Sequence, residues 1–130
     1  MDYSEITEKI IGCAYRVYNV MGPGFLENVY EKCLAIELNK AGLHAEFQQP
    51  VEVFYDSHNV GSFAVDILVD GRVIVELKAV RSLAAAHELQ LVNYLAATRM
   101  PVGLLINFGE TKVEVKRRVL SLSKNSDCFV

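Results

Sequence analysis

Tryptophan is absent from this chain, proline occurs only three times, and no apolar run approaches the ~20 residues that a bilayer span requires. Each shortage excludes a class. Few prolines and eight glycines leave no room for a collagen-like or low-complexity chain. Without a long apolar run there is no membrane helix, and the acidic start Met1-Asp2-Tyr3-Ser4-Glu5 has no signal-peptide core. The three cysteines, Cys13, Cys33 and Cys128, are odd in number and have no metal-ligand spacing. They imply reduced thiols and a cytoplasmic protein. Net positive charge is also missing: the formal balance is −3.

What is present is a core-forming composition. The 130 residues are 52% hydrophobic, enough for one domain with a single core. The charge is divided unevenly. Residues 1–56 carry nine acids against four bases, whereas residues 57–130 carry seven against nine. Lys112, Lys116, Arg117 and Arg118 cluster late, with Arg72, Arg81 and Arg99 ahead of them. They are equally consistent with a weak phosphate-facing patch and with a solvated strand face.

Periodicity predicts the order ααβββαββ. A first helix, capped by Ser4, has Ile6, Ile10, Ala14, Val17 and Met21 at helical spacing and is broken by Gly22-Pro23-Gly24. A second runs from about Phe25 to Lys40 and stops at Gly42. Strands follow from His44 to Tyr55, where Pro50 suggests an edge or bulge, and then, after a turn at Ser57-His58-Asn59, through Asp66. A third strand ends at Lys78, Ser82 caps a helix to about Thr98, and strands at Val102–Asn107 and Val113–Leu120 complete the series. Residues 121–130 read as a loose tail of the same single domain.

The chemistry is concentrated in Asp66-Ile-Leu-Val-Asp-Gly-Arg-Val-Ile-Val-Glu76-Leu-Lys78. Two carboxylates and a lysine among Val, Ile and Leu are costly to bury without compensation. A divalent cation supplies it, since Asp66 and Glu76 are hard oxygen donors of the kind Mg²⁺ takes. Lys78 shares a strand face with Glu76 and is placed to orient or deprotonate a water. Asp66 joins that face only if the loop at Asp70-Gly71 has an odd number of residues. A loop of Val69-Asp70-Gly71 would set Asp66 opposite Ile74 and leave Val65, Ile67, Val73, Val75 and Leu77 for the core. An ordinary Asp-Gly hairpin with solvated acids is the competing reading.

Two further constellations lie nearby. His87, Gln90 and Tyr94 share one face of the third helix, where Gln90 and Tyr94 are placed to orient a phosphate, a water or the lysine. An ordinary polar helix face competes, and His87 reads as a helix histidine rather than a ligand. Glu27, in the first turn of the second helix beside Tyr30 and Glu31, is either a dipole-favoured acid or a third metal-facing carboxylate.

Gly24-Phe-Leu-Glu27-Asn-Val-Tyr30 matches the signature that names the GxxExxY proteins, small prokaryotic members of the PD-(D/E)XK nuclease superfamily. The Asp66…Glu76-Leu-Lys78 element resembles the superfamily's catalytic motif, and Gln90-Leu-Val-Asn-Tyr94 is similar to the QxxxY element of its RecB-like branch. The resemblance runs from about Ser4 to Leu120, with three motifs in the expected order. It implies an α/β restriction-endonuclease-like core, a mixed central sheet flanked by helices, that binds Mg²⁺ or Mn²⁺. By that resemblance Asp66 and Glu76 ligate metal, Glu27 adds a ligand directly or through water, Lys78 assists the water, and Gln90 and Tyr94 support the site. The implied activity is hydrolysis of phosphodiester bonds, DNA foremost, in repair, recombination or defence. The alternative is a non-catalytic nucleic-acid-binding or assembly module on the same core. So little chain beyond the core suggests a homodimer or a partner protein under either reading.

Overall fold

A computed structural model describes residues 2–120; the tail expected at 121–130, with Cys128, lies outside them. The elements follow the expected order: α1 (Tyr3–Met21), α2 (Glu27–Lys40), β1 (Ala45–Tyr55), β2 (His58–Val69), β3 (Val73–Lys78), α3 (Ala85–Thr98), β4 (Val102–Phe108) and β5 (Val113–Val119). The five strands form one sheet in sequence order. All neighbours are antiparallel except β3 and β4, which run parallel because α3 carries the chain back between them.

Both faces of this mixed sheet are covered. Ile6, Ile10, Cys13, Ala14 and Val17 of α1, with Tyr30, Leu34 and Leu38 of α2, pack on Ile67, Val73, Val75, Leu77, Leu104 and Ile106. On the other face, Leu91 and Leu95 of α3 pack on Val65, Ile74 and Leu105. Burial on both sides explains why β3 and β4 read as near-continuous apolar runs. At Gly103 a Cβ would stand 2.7 Å from Leu91 Cδ1, so glycine there lets α3 sit directly on β4. Among the described residues, no helix is long and apolar enough to cross a membrane.

Local details differ from expectation for identifiable reasons. Asp2, not Ser4, caps α1, accepting the Glu5 amide at 2.9 Å. The first hairpin turns at Asp56-Ser57, both with positive φ, so that Tyr55 pairs with His58. That tight turn matches the twist of the strands better than a longer one. The third helix begins at Ala85 rather than at Ser82, and the His87 imidazole accepts the Ala84 amide at 3.0 Å through Nδ1. Pro50 does lie on an edge strand, since among the described residues β1 pairs with β2 alone. Val65 joins the α3-side cluster instead of the core face expected for it with Ile67.

Candidate active site

The loop between β2 and β3 is Asp70-Gly71-Arg72, with Val69 paired to Val73. Asp70 and Gly71 both have positive φ, and the Arg72 amide closes the turn on the Val69 carbonyl at 3.0 Å. The odd residue count is as the sequence requires, but the register sits two residues further along than expected. Paired positions Ile67↔Val75, Leu68↔Ile74 and Val69↔Val73 carry Asp66 opposite Glu76 rather than Ile74.

At that point the ladder stops being main chain. The Asp66 amide donates to Glu76 Oε1 at 3.1 Å, and the Leu77 amide donates to Asp66 Oδ2 at 2.9 Å. Side-chain carboxylates have replaced backbone carbonyls, so the strands part while their amides stay satisfied. Opposite Asp66 on β1, between Phe47↔Ile67 and Gln49↔Val65, stands Gln48 with φ +52°. The other positive-φ residues that are not glycine lie in turns or at a helix end. Backbone strain inside a strand is thus located beside Asp66.

Glu76 is 4% exposed. Burial, and after it the charge of Asp66, push its carboxyl up to about 8. Burial is also the main cause that raises Glu27, with Asp66 adding to the shift and Lys78 opposing it. Glu31, one turn along α2, is raised by burial and then by Asp66, while a 3.4 Å hydrogen bond from Gln48 Nε2 works the other way. Tyr94 of α3 is held protonated by burial, then by Glu76 and Asp66, and its ring stacks on Phe63 at 3.9 Å. Asp66 is therefore the charge at which α2, β3 and α3 meet. Gln90, half-buried a turn before Tyr94, makes no side-chain hydrogen bond among the described residues.

Two buried residues support the site, and of these Asn107 was not singled out in the sequence. Asn107, fully buried on β4 and paired with Lys78, accepts the Val80 amide through Oδ1 and donates Nδ2 to the Val80 carbonyl and to Glu114 Oε1, each at 2.9 Å. It clamps the chain just after the lysine. A polar residue ending an apolar strand was the available signal. Tyr30, fully buried, stacks on Phe108 at 4.4 Å, donates to the Gly22 carbonyl at 2.6 Å and accepts the Phe25 amide at 3.3 Å. It ties down the loop that delivers Glu27. Gly24 in that loop has φ +101°, a conformation that side chains disfavour.

The donor set is oxygen only. Mg²⁺ is commonly held by one or two carboxylates, with waters and substrate phosphate completing its shell. Glu76, buried, and Asp66, half-buried beside it, fit that description. Among the described residues no group of three or more His, Cys, Asp or Glu is gathered closely enough to hold an ion, so Glu27 does not complete a three-carboxylate set in this structure.

Residues 4–118 match the sequence model of the PD-(D/E)XK nuclease superfamily. The chain belongs to that superfamily. PD-(D/E)XK proteins generally hydrolyse phosphodiester bonds and typically use divalent metals, which accords with the carboxylate pair described above. The crystal structure of SSO0001 superposes with a TM-score of 0.54 at 18% identity, over 95% of this chain. The match spans 64% of that protein's length, and its likeness is one of fold. No curated protein matches.

Of the bases read as either a phosphate-facing patch or a solvated strand face, Lys116 and Arg118 pair with Glu88 of α3 at 3.8 and 3.0 Å, and Arg81 pairs with Glu110 at 2.7 Å. These contacts offset part of the positive character that the sequence suggests.

Proposed function

We propose that this PD-(D/E)XK protein is a Mg²⁺- or Mn²⁺-dependent nuclease of the GxxExxY type, with DNA as its substrate. The observation that carries the reading is Asp66 directly opposite Glu76 on parting strands, with Lys78 two residues on. The GxxExxY assignment is supported by the separate uses of its three positions: Gly24 shapes the loop, Tyr30 fastens it, and Glu27 points its charge into the field of Asp66 and Lys78.

In this reading Asp66 and Glu76 hold the ion, and Glu76 releases its proton when they do. A bound divalent ion would make water a better nucleophile and offset charge on the phosphate. Lys78 orients the water and stabilises the charge that builds on phosphate oxygens as the water oxygen bonds to phosphorus. The attacking water gives up its proton to solvent, the opposite P–O bond breaks, and the leaving oxygen takes a proton from solvent. Glu27 acts through a water rather than as a direct ligand, and Gln90 and the protonated Tyr94 hydroxyl donate to the phosphate.

Incubation with linear, nicked, branched and single-stranded DNA plus Mg²⁺ or Mn²⁺ tests this. Wild type should cleave at least one substrate and Lys78→Ala none. Equal cleavage by both, or none by wild type, defeats the reading.

A further inference from the structure

Beside the candidate active site lies a cavity of about 480 Å³ between the loop before α2 and the ends of β3 and β4. We propose that it receives an unpaired nucleobase next to the scissile phosphate, so that the substrate is single-stranded or frayed nucleic acid. This deepens the nuclease reading and rests on it.

Position is the first argument. The cavity is lined by Phe25 and Leu26, which lead directly into Glu27, and by Val80 and Arg81, close after Lys78. A strand whose phosphate lies at Asp66, Glu76 and Lys78 must place a neighbouring nucleotide within reach of these loops. Chemistry is the second. Leu26 is 74% exposed, Phe25 44% and Val80 36%, an unusual concentration of apolar side chains on loops that flank a charged site. Phe108 forms a buried wall behind them, and the Arg81–Glu110 ion pair stands at the rim.

The lining also determines how a base would be read. The Phe25 amide is engaged by Tyr30, both polar groups of the Val80 backbone by Asn107, the Gly109 amide by the Lys112 carbonyl, and the Gly109 carbonyl by the Tyr18 hydroxyl. These groups are not available to base edges. The cavity offers faces for stacking, which every base satisfies, and little hydrogen-bond readout. Recognition is therefore tolerant of sequence. A duplex base is already stacked and paired, and extracting it carries a cost that an unpaired base escapes.

Equilibrium binding in Ca²⁺, in place of Mg²⁺, separates the terms. Labelled single-stranded oligomers of thymidylate and of adenylate, an abasic oligomer of equal length and a blunt duplex are titrated with wild type, Leu26→Ser and Val80→Ser. Both substitutions are at solvent-exposed positions and leave the core intact, which circular dichroism verifies. Wild type should bind the two base-bearing single strands alike, and the abasic oligomer and the duplex about fivefold or more weakly, since stacking on a base has this order of effect. Each variant should lose most of that preference and keep its abasic affinity. Equal affinity for abasic and base-bearing strands, or variants that retain the wild-type preference, overturns the proposal. Cleavage lost in Asp66→Asn with no base dependence of binding defeats the pocket and spares the nuclease reading. Base-dependent binding with no cleavage in Mg²⁺ or Mn²⁺ does the reverse.

Discussion

Asp66 and Glu76 each accept a backbone amide from across the gap between their strands: the Asp66 amide reaches Glu76 Oε1 at 3.1 Å, and the Leu77 amide reaches Asp66 Oδ2 at 2.9 Å. The pair thus closes the β2–β3 ladder and, in doing so, holds two carboxyl groups together where Glu76 is buried and the charge of Asp66 disfavours a second one. Structure and chemistry compete at this point, and the competition can be measured.

In metal-free protein, the Glu76 carboxyl stands at about 8 in the fold against an ordinary 4.5. Between those values the native state retains a proton that the unfolded chain has released, so stability falls as pH rises through this window. Below it both states are protonated and the penalty vanishes. Melts of wild type and Glu76→Gln across the window should show the wild-type curve declining more steeply. Parallel curves would mean that Glu76 is not the strained carboxyl.

A divalent cation held by this pair would relieve the same strain and stabilise the fold by mass action. Millimolar Mn²⁺ should raise the melting temperature of wild type clearly and of Glu76→Ala hardly at all. The apparent affinity should increase with pH towards about 8, because binding expels the Glu76 proton. An equal Mn²⁺ response in Glu76→Ala would place the ion elsewhere.

Glu27→Gln retains size and removes a charge that burial and Asp66 already disfavour. Stability should stay level or rise slightly, while cleavage falls by an order of magnitude or more, about 1.4 kcal/mol of transition-state stabilisation. Wild-type rates in this variant would return Glu27 to a helix-start role.

Tyr30→Phe removes a hydroxyl that bonds both Gly22 and Phe25. The loss leaves the part-buried Gly22 carbonyl with one partner fewer and should cost about 1–2 kcal/mol in denaturant melts. Tyr30→Ala also forfeits the stack on Phe108 and should cost about 3–5 kcal/mol. A neutral Tyr30→Phe would show that the loop is held by packing alone.

Asn107→Leu keeps approximate volume but leaves the Val80 amide, the Val80 carbonyl and Glu114 without their partner. Destabilisation of about 1–3 kcal/mol is expected, with a loss of cleavage that persists well below the melting temperature. Full activity in the folded fraction would show that Lys78 does not depend on this clamp.

The local order of the chain was legible because it follows short-range periodicity. Tyr30, Leu34 and Leu38 recur every four residues and make α2 by themselves, as Ile6, Ile10, Ala14 and Val17 do for α1. Face parity was legible in part: a face shared by Asp66 and Glu76 required an odd loop between β2 and β3, and the loop has three residues, but Val65 lies on the face opposite to the one expected. Register was not. Parity is preserved by a shift of two, so Ile74 and Glu76 were equivalent partners for Asp66 until the turn was built. Helix starts failed for a similar reason, since Asp2 and the His87 ring compete with Ser4 and Ser82 as caps and only the chain's path decides among them.

The sequence by itself therefore determined the elements, their order and the positions of the candidate site residues along them: Asp66, Glu76 and Lys78 within one hairpin, Glu27 opening one helix and Tyr94 within another. Tertiary structure alone decided that Asp66 meets Glu76, that Gln48 and Glu31 adjoin them, and that Asn107 clamps the segment after Lys78. It also decided that Tyr18 reaches Gly109 across 91 residues. The reason is physical. Periodicity reports which face of an element is buried, whereas which element buries it depends on strand register and helix docking, fixed by contacts between residues far apart in the chain.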